Sequence, residues 1–431
     1  MKTIIYQAIC RLWGKGKFSS WDNRTFRYLK NLGVDYLWLT GVARHSSGED
    51  YVKGDPGCPY SIIDWMDVNP YLASDPERRM VEFENLVERA HRNGLKIMID
   101  FIPNHVAKGY NGPIPTLDWH DGDWTDTRKV DWSNPATFDN MLSVLQFWKE
   151  KGVDAFRCDM VELVPREPQI RLLSALKADY PETLFVAEVY NMDNYSAFLN
   201  EVGYDLLYDK SGMYDTLMSV CSGKGSARAL SWNWQKLGAL QPRMLNFLEN
   251  HDELRLASPL CLGSPLKAMP AAAVSALFND SSFMLYFAQE IGDNASDSQN
   301  GRTSIYDMYR PEGVWHLYAN IHGLKKLKPL ETKTLAAYKE LLALARKDVF
   351  RSGKCWDLCY CNPDLDQDRH FCFVRYNGSE AWLVCCNFSD SPLQFVPQLP
   401  SELKSAMGSA CRSNDAPEIS VSAWDYTAIQ L

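Results

Sequence analysis

Residues 152–159 read Gly-Val-Asp-Ala-Phe-Arg-Cys-Asp, a short apolar run that ends on an arginine and a carboxylate. The amphipathic stretch Phe138–Glu150 precedes this run, and Gly152 lies where a helix commonly ends on a glycine. Because the run has the length of a strand and is bounded by a glycine, it predicts a buried strand that follows a helix. The same order of helix and strand recurs along most of the chain.

Eight short apolar runs alternate with helical patterns in this sequence. They are Ile4–Ile9, Tyr36–Thr40, Lys96–Ile102, Val153–Asp159, Leu184–Val189, Tyr204–Asp209, Met244–Asn250 and Phe283–Ala288. Strands that alternate with helices form right-handed βαβ units and a parallel sheet. Eight such strands in about 350 residues predict an α/β protein with a closed (β/α)8 TIM barrel. An open doubly wound sheet is the alternative.

Two regions depart from this alternation. Residues 106–137 are rich in Gly, Pro, Asp and Trp and have no clear period, which is typical of a functional loop. After about residue 348, turn signals separate strand-like segments instead of helices. These segments are His370–Tyr376, Ala381–Phe388 and Ser420–Ile429. We therefore predict a catalytic barrel over residues 1–350, with 106–137 as a short insertion after strand 3, and a C-terminal antiparallel β domain over residues 351–431.

Charge and composition exclude several classes of protein. The 431 residues include 45 basic and 54 acidic side chains, a formal net charge of −9. Nucleic acids and anionic membranes are bound by basic surfaces, so this balance argues against both as partners. Hydrophobic residues make up 46% of the chain, which excludes a disordered protein. The sequence has no apolar run of membrane-spanning length and no cleavage site of a secretory signal, so we expect a cytoplasmic location.

Polar clusters follow four of the predicted strands. Residues 100–105 read Asp-Phe-Ile-Pro-Asn-His, 185–188 read Phe-Val-Ala-Glu, and 247–252 read Phe-Leu-Glu-Asn-His-Asp; 152–159 is the fourth. In a (β/α)8 barrel, the carboxyl ends of the strands meet at one rim, where active sites lie. One carboxylate at a strand end often only caps the next helix. Three carboxylates, two histidines and an arginine on one rim favour catalysis.

Arg157 and Asp159 are two residues apart and therefore point to the same side of their strand. An arginine beside a carboxylate keeps that carboxylate ionised, which suits a nucleophile. A second carboxyl group in a less polar place has a raised pKa and suits a general acid. Two carboxyl groups with these separate roles are the usual apparatus for the cleavage of glycosidic bonds.

The four polar segments, in this order, resemble the signature regions of the α-amylase family, glycoside hydrolase family 13. Three further stretches agree with that resemblance: Gly57–Trp65 after strand two, Leu285–Gly292 at the end of strand eight, and Phe371–Asp390 in the C-terminal β domain. The resemblance spans residues 4–390, and the motifs are specific as a set. It implies a retaining glycosidase that acts on malto-oligosaccharides or related α-glucans.

The resemblance also implies a role for each candidate residue. Asp159 is implied as the nucleophile, Glu188 as the general acid and then base, and Asp252 as the carboxylate that stabilises the distorted sugar. Five more residues are implied to bind substrate: Arg157, which holds Asp159 ionised; His105 and His251, which hydrogen-bond the sugar; Tyr60, which stacks on it; and Asp100, a structural and electrostatic partner on the rim.

The sequence departs from the family's pattern where many members hold calcium. That calcium site takes its ligands from a position matched by Asn104, from a longer insertion after strand 3, and from a backbone carbonyl after the nucleophile. Here the insertion at 106–137, called the excursion below, is short, and Met-Val-Glu-Leu at 160–163 stands where Ala-x-Lys-His is common. In the family the Lys-His pair also lines the leaving-group subsites, so the specificity of those subsites stays unassigned. Four aspartates, Asp118, Asp121, Asp123 and Asp126, lack the spacing of an EF-hand. We expect no required metal and no cofactor, with bound calcium as the alternative.

Three other functions are alternatives to the hydrolysis of α-glucans. A transglycosylase of the same family, either a glucanotransferase or a sucrose-type enzyme, differs only in how well an acceptor sugar competes with water. A non-catalytic amylase-like binding protein predicts loss of the catalytic triad and a membrane anchor. A metal hydrolase would use Asp100, His105, His251 and Asp252, but the arginine beside paired carboxylates fits glycosidic chemistry better.

Overall fold

The computed structural model describes residues 2–54, 56–411 and 416–431. Eight parallel strands form a closed barrel in which each strand neighbours the next in the chain. They are β1 (Ile4–Ile9), β2 (Tyr36–Thr40), β3 (Lys96–Phe101), β4 (Ala155–Cys158), β5 (Leu184–Ala187), β6 (Leu206–Tyr208), β7 (Met244–Phe247) and β8 (Ser282–Tyr286). The predicted (β/α)8 barrel is confirmed, and all eight predicted strands are present. β1 and β2 have the predicted bounds, β8 begins one residue earlier and ends two residues earlier than predicted, and the other five are shorter than predicted.

Helices connect the barrel strands and continue beyond them. They span Asn23–Leu32, Arg79–Arg92, Pro135–Glu150, Arg166–Asp179, Tyr195–Ala197, Asp215–Cys221, Arg228–Leu237, Met269–Leu277, Glu312–Ile321, Pro329–Ala345, Asp348–Ser352 and Ser401–Met407. Asn134 caps the third helix by accepting a hydrogen bond from the backbone of Ala136. Gly152, just beyond that helix, has a φ of +85°, a left-handed conformation that favours glycine.

The chain divides into two compact units. The first unit comprises Ile5–Tyr208 and Thr303–Leu327; the second comprises Met1–Ile4, Asp209–Arg302 and Lys328–Leu431. In the first unit, the side chains of the barrel strands are almost all buried, as expected for a parallel sheet covered on both faces. The predicted boundary between residues 350 and 351 differs from this division and stays a prediction.

The second unit contains a four-stranded antiparallel sheet near the C-terminus, as predicted. Its strands, in spatial order, are β9 (Lys354–Asp357), β10 (His370–Tyr376), β11 (Ala381–Asn387) and β12 (Asp425–Gln430). Phe278, which follows the buried helix Met269–Leu277, packs on Phe371 and Phe373 of β10, with ring centroids 4.8 and 5.1 Å apart. Strands Leu393–Phe395 and Ile419–Val421 form a separate two-stranded sheet.

The excursion after β3 contains one small hairpin, formed by His105–Ala107 and Thr127–Lys129. A second hairpin, formed by Ala43–His45 and Ile62–Val68, follows β2. Both hairpins belong to the first unit. Among the described residues, no helix combines the length and the hydropathy that crossing a membrane requires.

Candidate active site

Backbone hydrogen bonds place Asp159 and Glu188 side by side on neighbouring strands. Asp159 directly follows β4, and its N–H donates to the carbonyl of Phe101 on β3 at 2.9 Å. Glu188 directly follows β5, and its N–H donates to the carbonyl of Cys158 on β4 at 3.0 Å. The ladder of the barrel therefore continues one residue past each strand end and holds the backbone of both residues to the sheet.

Arg157 on β4 is the centre of the cluster. Its side chain is fully buried, and its Nη1 donates to Asp159 Oδ1 at 2.5 Å while its Nη2 lies 2.8 Å from Glu188 Oε1. The rings of three aromatic residues face its guanidinium, each about 5.4 Å from it: Trp38, Tyr60 and Tyr208. A buried cation needs counter-charges and ring faces of this kind, since leaving it unpaired costs several kcal/mol (about 3–5).

Asp100 is the third carboxyl group beside this arginine. It lies opposite Arg157 in the register of β3 and β4, and its Oδ1 is 3.8 Å from Arg157 Nη1. The same oxygen accepts a hydrogen bond from the hydroxyl of Tyr60 at 3.1 Å. Burial raises the pKa of Asp100 to about 7, against the opposing pull of Arg157. Asp100 and Tyr60 thus lie in the cluster, with Tyr60 forming part of its wall.

Glu188 is surrounded differently from Asp159. Its Oε2 accepts from the backbone N–H of Met160 at 3.0 Å, and its Oε1 accepts from the hydroxyl of Tyr190 at 2.7 Å. Burial raises the pKa of Glu188 in spite of Arg157 and these donors. A raised pKa suits a general acid, and Glu188 has one even though it shares Arg157 with Asp159.

His105 lies at the start of the excursion hairpin, with its ring 5.3 Å from the ring of Trp124. The amide nitrogen of Asn104 is 3.2 Å from His105 Nδ1. Burial lowers the pKa of His105 to about 4, so the imidazole is neutral at neutral pH. A neutral ring has one donor and one acceptor nitrogen, which suits hydrogen bonding to an uncharged hydroxyl group.

His251 and Asp252 follow β7 and belong to the second unit. His251 is buried, and its Nε2 is 3.2 Å from Asp252 Oδ2. The side chain of Asn250 accepts from the backbone of Asp252 at 2.8 Å and from that of Glu253 at 2.9 Å, which orders the turn. Asp252 is about half exposed. Their assignment to the same site as Asp159 stays a prediction.

Two residues that contact Glu188, Met160 and Tyr190, were not among the predicted site residues. Met160 has a φ of +46°, a conformation that is rare for a residue other than glycine and that directs its N–H to Glu188. Tyr190 could have been found from its spacing, since it is two residues beyond Glu188 and points to the same side. A backbone donor such as Met160 carries no signal in its residue type.

Glu162, which stands where the family pattern has lysine, orders the loop after β5. Its Oε2 accepts from the backbone of Tyr190 at 2.7 Å and of Asn191 at 3.2 Å, and its Oε1 accepts from the amide of Asn194 at 2.7 Å. The carboxylate therefore holds the segment that presents Tyr190 to Glu188. This contact gives the departure from the family pattern a structural role in this chain.

Known proteins resemble this chain in sequence. The family model for the α-amylase catalytic domain matches residues 23–113. α-Amylase MalA of Haloarcula japonica is 26% identical over 425 residues, which cover 90% of this chain and 56% of that protein. α-Amylase 3 of Dictyoglomus thermophilum is 24% identical over 316 residues, covering 62% and 59%. The chain thus spans less than two thirds of the length of these curated relatives.

Solved structures resemble the whole chain. A noncanonic maltogenic α-amylase, AmyB, from Thermotoga neapolitana has a TM-score of 0.74 at 21% identity, over 100% of this chain and 96% of that one. An α-amylase from Lactobacillus plantarum has a TM-score of 0.76 at 18% identity, over 100% and 98%. The closed barrel and its carboxylate cluster define the class of (β/α)8 proteins with a carboxylate-based site. Within that class, the chain is similar to the α-amylase family, whose catalytic-domain model matches residues 23–113.

Proposed function

We propose that this protein is a retaining glycosidase that hydrolyses α-1,4 bonds in malto-oligosaccharides or related α-glucans. The observation that carries the proposal is the pair of carboxyl groups on one buried guanidinium, Asp159 on Nη1 and Glu188 on Nη2. Two adjacent nitrogens of one group keep the carboxyl groups close together. That closeness favours the spacing of retaining enzymes, about 5–5.5 Å, over the wider spacing of inverting ones.

The proposed reaction has two displacements. Asp159 attacks the anomeric carbon while Glu188 gives its proton to the glycosidic oxygen, so that the leaving sugar departs with a new hydroxyl group and a β-glucosyl ester remains on Asp159. Glu188, now ionised, takes a proton from water, and the resulting hydroxide displaces Asp159 from the sugar. Each step inverts the anomeric carbon, so the product keeps the α configuration. Neither step uses a cofactor.

The remaining candidate residues are proposed to bind the sugar. Tyr60 stacks on it, His105 and His251 donate hydrogen bonds to its hydroxyls, and Asp252 stabilises the positive charge that develops on the ring. Asp100 acts through Tyr60 and Arg157, which it contacts. The cytoplasmic location and the absence of nucleic acid and membrane partners stay predictions.

The experiment that tests this function is NMR spectroscopy of the first product released from maltoheptaose. We expect the α-anomer to appear first and to mutarotate afterwards, because two inversions give net retention. An initial β-anomer would contradict the double displacement. Repeating the reaction in excess maltose separates hydrolysis from transfer, since a transglycosylase then forms longer oligosaccharides in place of glucose and maltose.

Replacement of Tyr190 by Phe is expected to shift the pH dependence of the reaction. The hydroxyl of Tyr190 donates to Glu188 and so stabilises its ionised form; its removal raises the pKa of Glu188 further. The protonated acid then persists to higher pH. We expect the alkaline limb of kcat/KM to move to higher pH by about one unit. A hydrogen bond to a charged group contributes about 1.5 kcal/mol or more, and one pKa unit corresponds to about 1.4 kcal/mol.

The matched control is Tyr204→Phe. The hydroxyl of Tyr204 is also buried, but it donates to Gln169 at 2.7 Å. We expect its pH profile to follow that of the wild type. An unmoved or lowered alkaline limb in Tyr190→Phe would show that Tyr190 does not act on the general acid.

A further inference from the structure

The ammonium group of Lys129 has an unusual set of partners. Lys129 ends the excursion hairpin, and its Nζ lies 2.9 Å from Asp121 Oδ2 and 3.2 Å from the backbone oxygen of Leu163. The ring of Trp119 faces the same nitrogen at 5.4 Å. Its side chain is only 14% exposed. One cation thus joins two parts of the excursion to the turn that follows the nucleophile strand.

These partners coincide with the calcium position that the family resemblance implies. Asn104 and the carbonyl at residue 163 are the positions named for that site. In this chain, Asn104 directs its amide nitrogen to Asp121 Oδ2 at 2.8 Å, the same oxygen that binds Lys129. Two N–H donors therefore occupy one oxygen of the Asp121 carboxylate.

The donor set does not fit calcium. Calcium takes six to eight oxygen ligands at about 2.3–2.6 Å. Within residues 2–54, 56–411 and 416–431, no group of three or more His, Cys, Asp or Glu side chains is placed to hold a metal ion. The buried Oδ1 of Asn104 has no hydrogen-bond partner among these residues, but it supplies a single ligand. An ammonium in contact with Asp121 both fills the position and repels a divalent cation.

We infer that Lys129 is a built-in cation that replaces structural calcium in this chain and holds the excursion against the turn after Asp159. The turn is Val161–Leu163, and Leu163 receives the hydrogen bond from Lys129. Met160 directly precedes this turn and donates its N–H to Glu188. Lys129 is therefore also a positioning residue for the general acid, a step that rests on the proposed function.

The first test is thermal unfolding of the full chain in excess chelator and in millimolar calcium chloride. We expect the wild-type Tm to be the same in both. Lys129→Met removes the charge and keeps the length of the side chain, so we expect its Tm to fall by about 2 °C or more, with much of the loss recovered in Lys129→Arg. The control is Lys108→Met, an exposed lysine in the same excursion, whose Tm should not change.

The second test is the pH dependence of kcat/KM on maltoheptaose for the same variants. The charged or titratable groups that face Glu188 are Arg157, Asp159, Tyr190 and Tyr208. None of them is altered in Lys129→Met, and Lys108→Met removes one positive charge from the same excursion, so a change seen only in Lys129→Met reports the Met160 hydrogen bond. We expect the limb to move to higher pH in Lys129→Met, and to stay in place in Lys108→Met, because a weaker hydrogen bond favours the protonated acid.

Three results would overturn the inference. A wild-type Tm that falls in chelator and recovers with calcium would show that a metal ion, not Lys129, holds the excursion. Equal Tm values for Lys129→Met and Lys108→Met would show that Lys129 does not stabilise the contact between the excursion and the turn after Asp159. An unmoved alkaline limb would remove the positioning step. The unfolding measurements need no turnover. They therefore test whether Lys129 takes the place of structural calcium even if the protein hydrolyses no α-glucan and the proposed function fails.

Discussion

Asp159→Asn is expected to lower kcat/KM on maltoheptaose by about 10³-fold or more, on the order of 4 kcal/mol of transition-state stabilisation. Asparagine has nearly the same shape as aspartate, so packing around β4 is kept, but its amide cannot form the glycosyl ester. Arg157 still has Glu188 as a partner 2.8 Å away, so the buried cation is not left unpaired. The measurement is steady-state kinetics, together with circular dichroism to show that the fold is retained.

Asp154→Asn is the matched control for this substitution. Asp154 lies before the other end of β4, where its carboxylate bonds to His91 and to the backbone of Ile97, both at 2.7 Å. We expect this variant to lose some stability and to keep its turnover. If Asp159→Asn kept more than about a tenth of the wild-type rate, Asp159 would not be the nucleophile.

Glu188→Gln is expected to lower kcat on maltoheptaose by a similar factor, about 10³-fold, but in a way that depends on the leaving group. Glutamine cannot donate a proton to the glycosidic oxygen. An aryl glucoside with an acidic phenol needs no such proton, so the first displacement should recover. Deglycosylation still lacks its base. We therefore expect a burst of about one equivalent of phenol per enzyme, followed by slow turnover.

Asp159→Asn should give no burst with the same aryl glucoside, because it cannot form the ester. Glu182→Gln is the control for Glu188→Gln, since Glu182 is exposed and precedes the same strand. Its kinetics should match the wild type on both substrates. A Glu188 variant that is equally slow on both substrates and shows no burst would contradict the role of general acid and base.

The barrel could be predicted from the sequence because its strands are buried on both faces. Such strands form continuous apolar runs, and β1 and β2 were predicted with the bounds that the structure has. The predicted ends of β4 were wrong: Val153, Asp154 and Asp159 were assigned to the strand but lie outside it. The hairpin strand Thr127–Lys129 gave no signal, since three polar residues are too few to show a period.

The candidate site was predictable where residue type and strand position suffice. Arg157, Asp159 and Glu188 are charged residues at strand ends, and the structure brings them together. The contacts of Lys129 and Glu162 were not predictable, because each joins loops that only the folded chain brings together. A salt bridge between a hairpin and a distant turn leaves no periodic pattern along the sequence.

The hydrogen bonds that continue the barrel ladder through Asp159 and Glu188 have a consequence for how such a protein diverges. Neighbouring strands in any sheet lie about 4.7–4.9 Å apart, close to the separation of about 5–5.5 Å that net retention requires. In the proposed mechanism, the backbone spacing of the sheet therefore helps to keep the two carboxyl groups at the separation of a retaining enzyme. Changes in the loops, and in the substrates that the loops bind, leave this spacing unaltered, so we expect them to leave the anomer released unaltered.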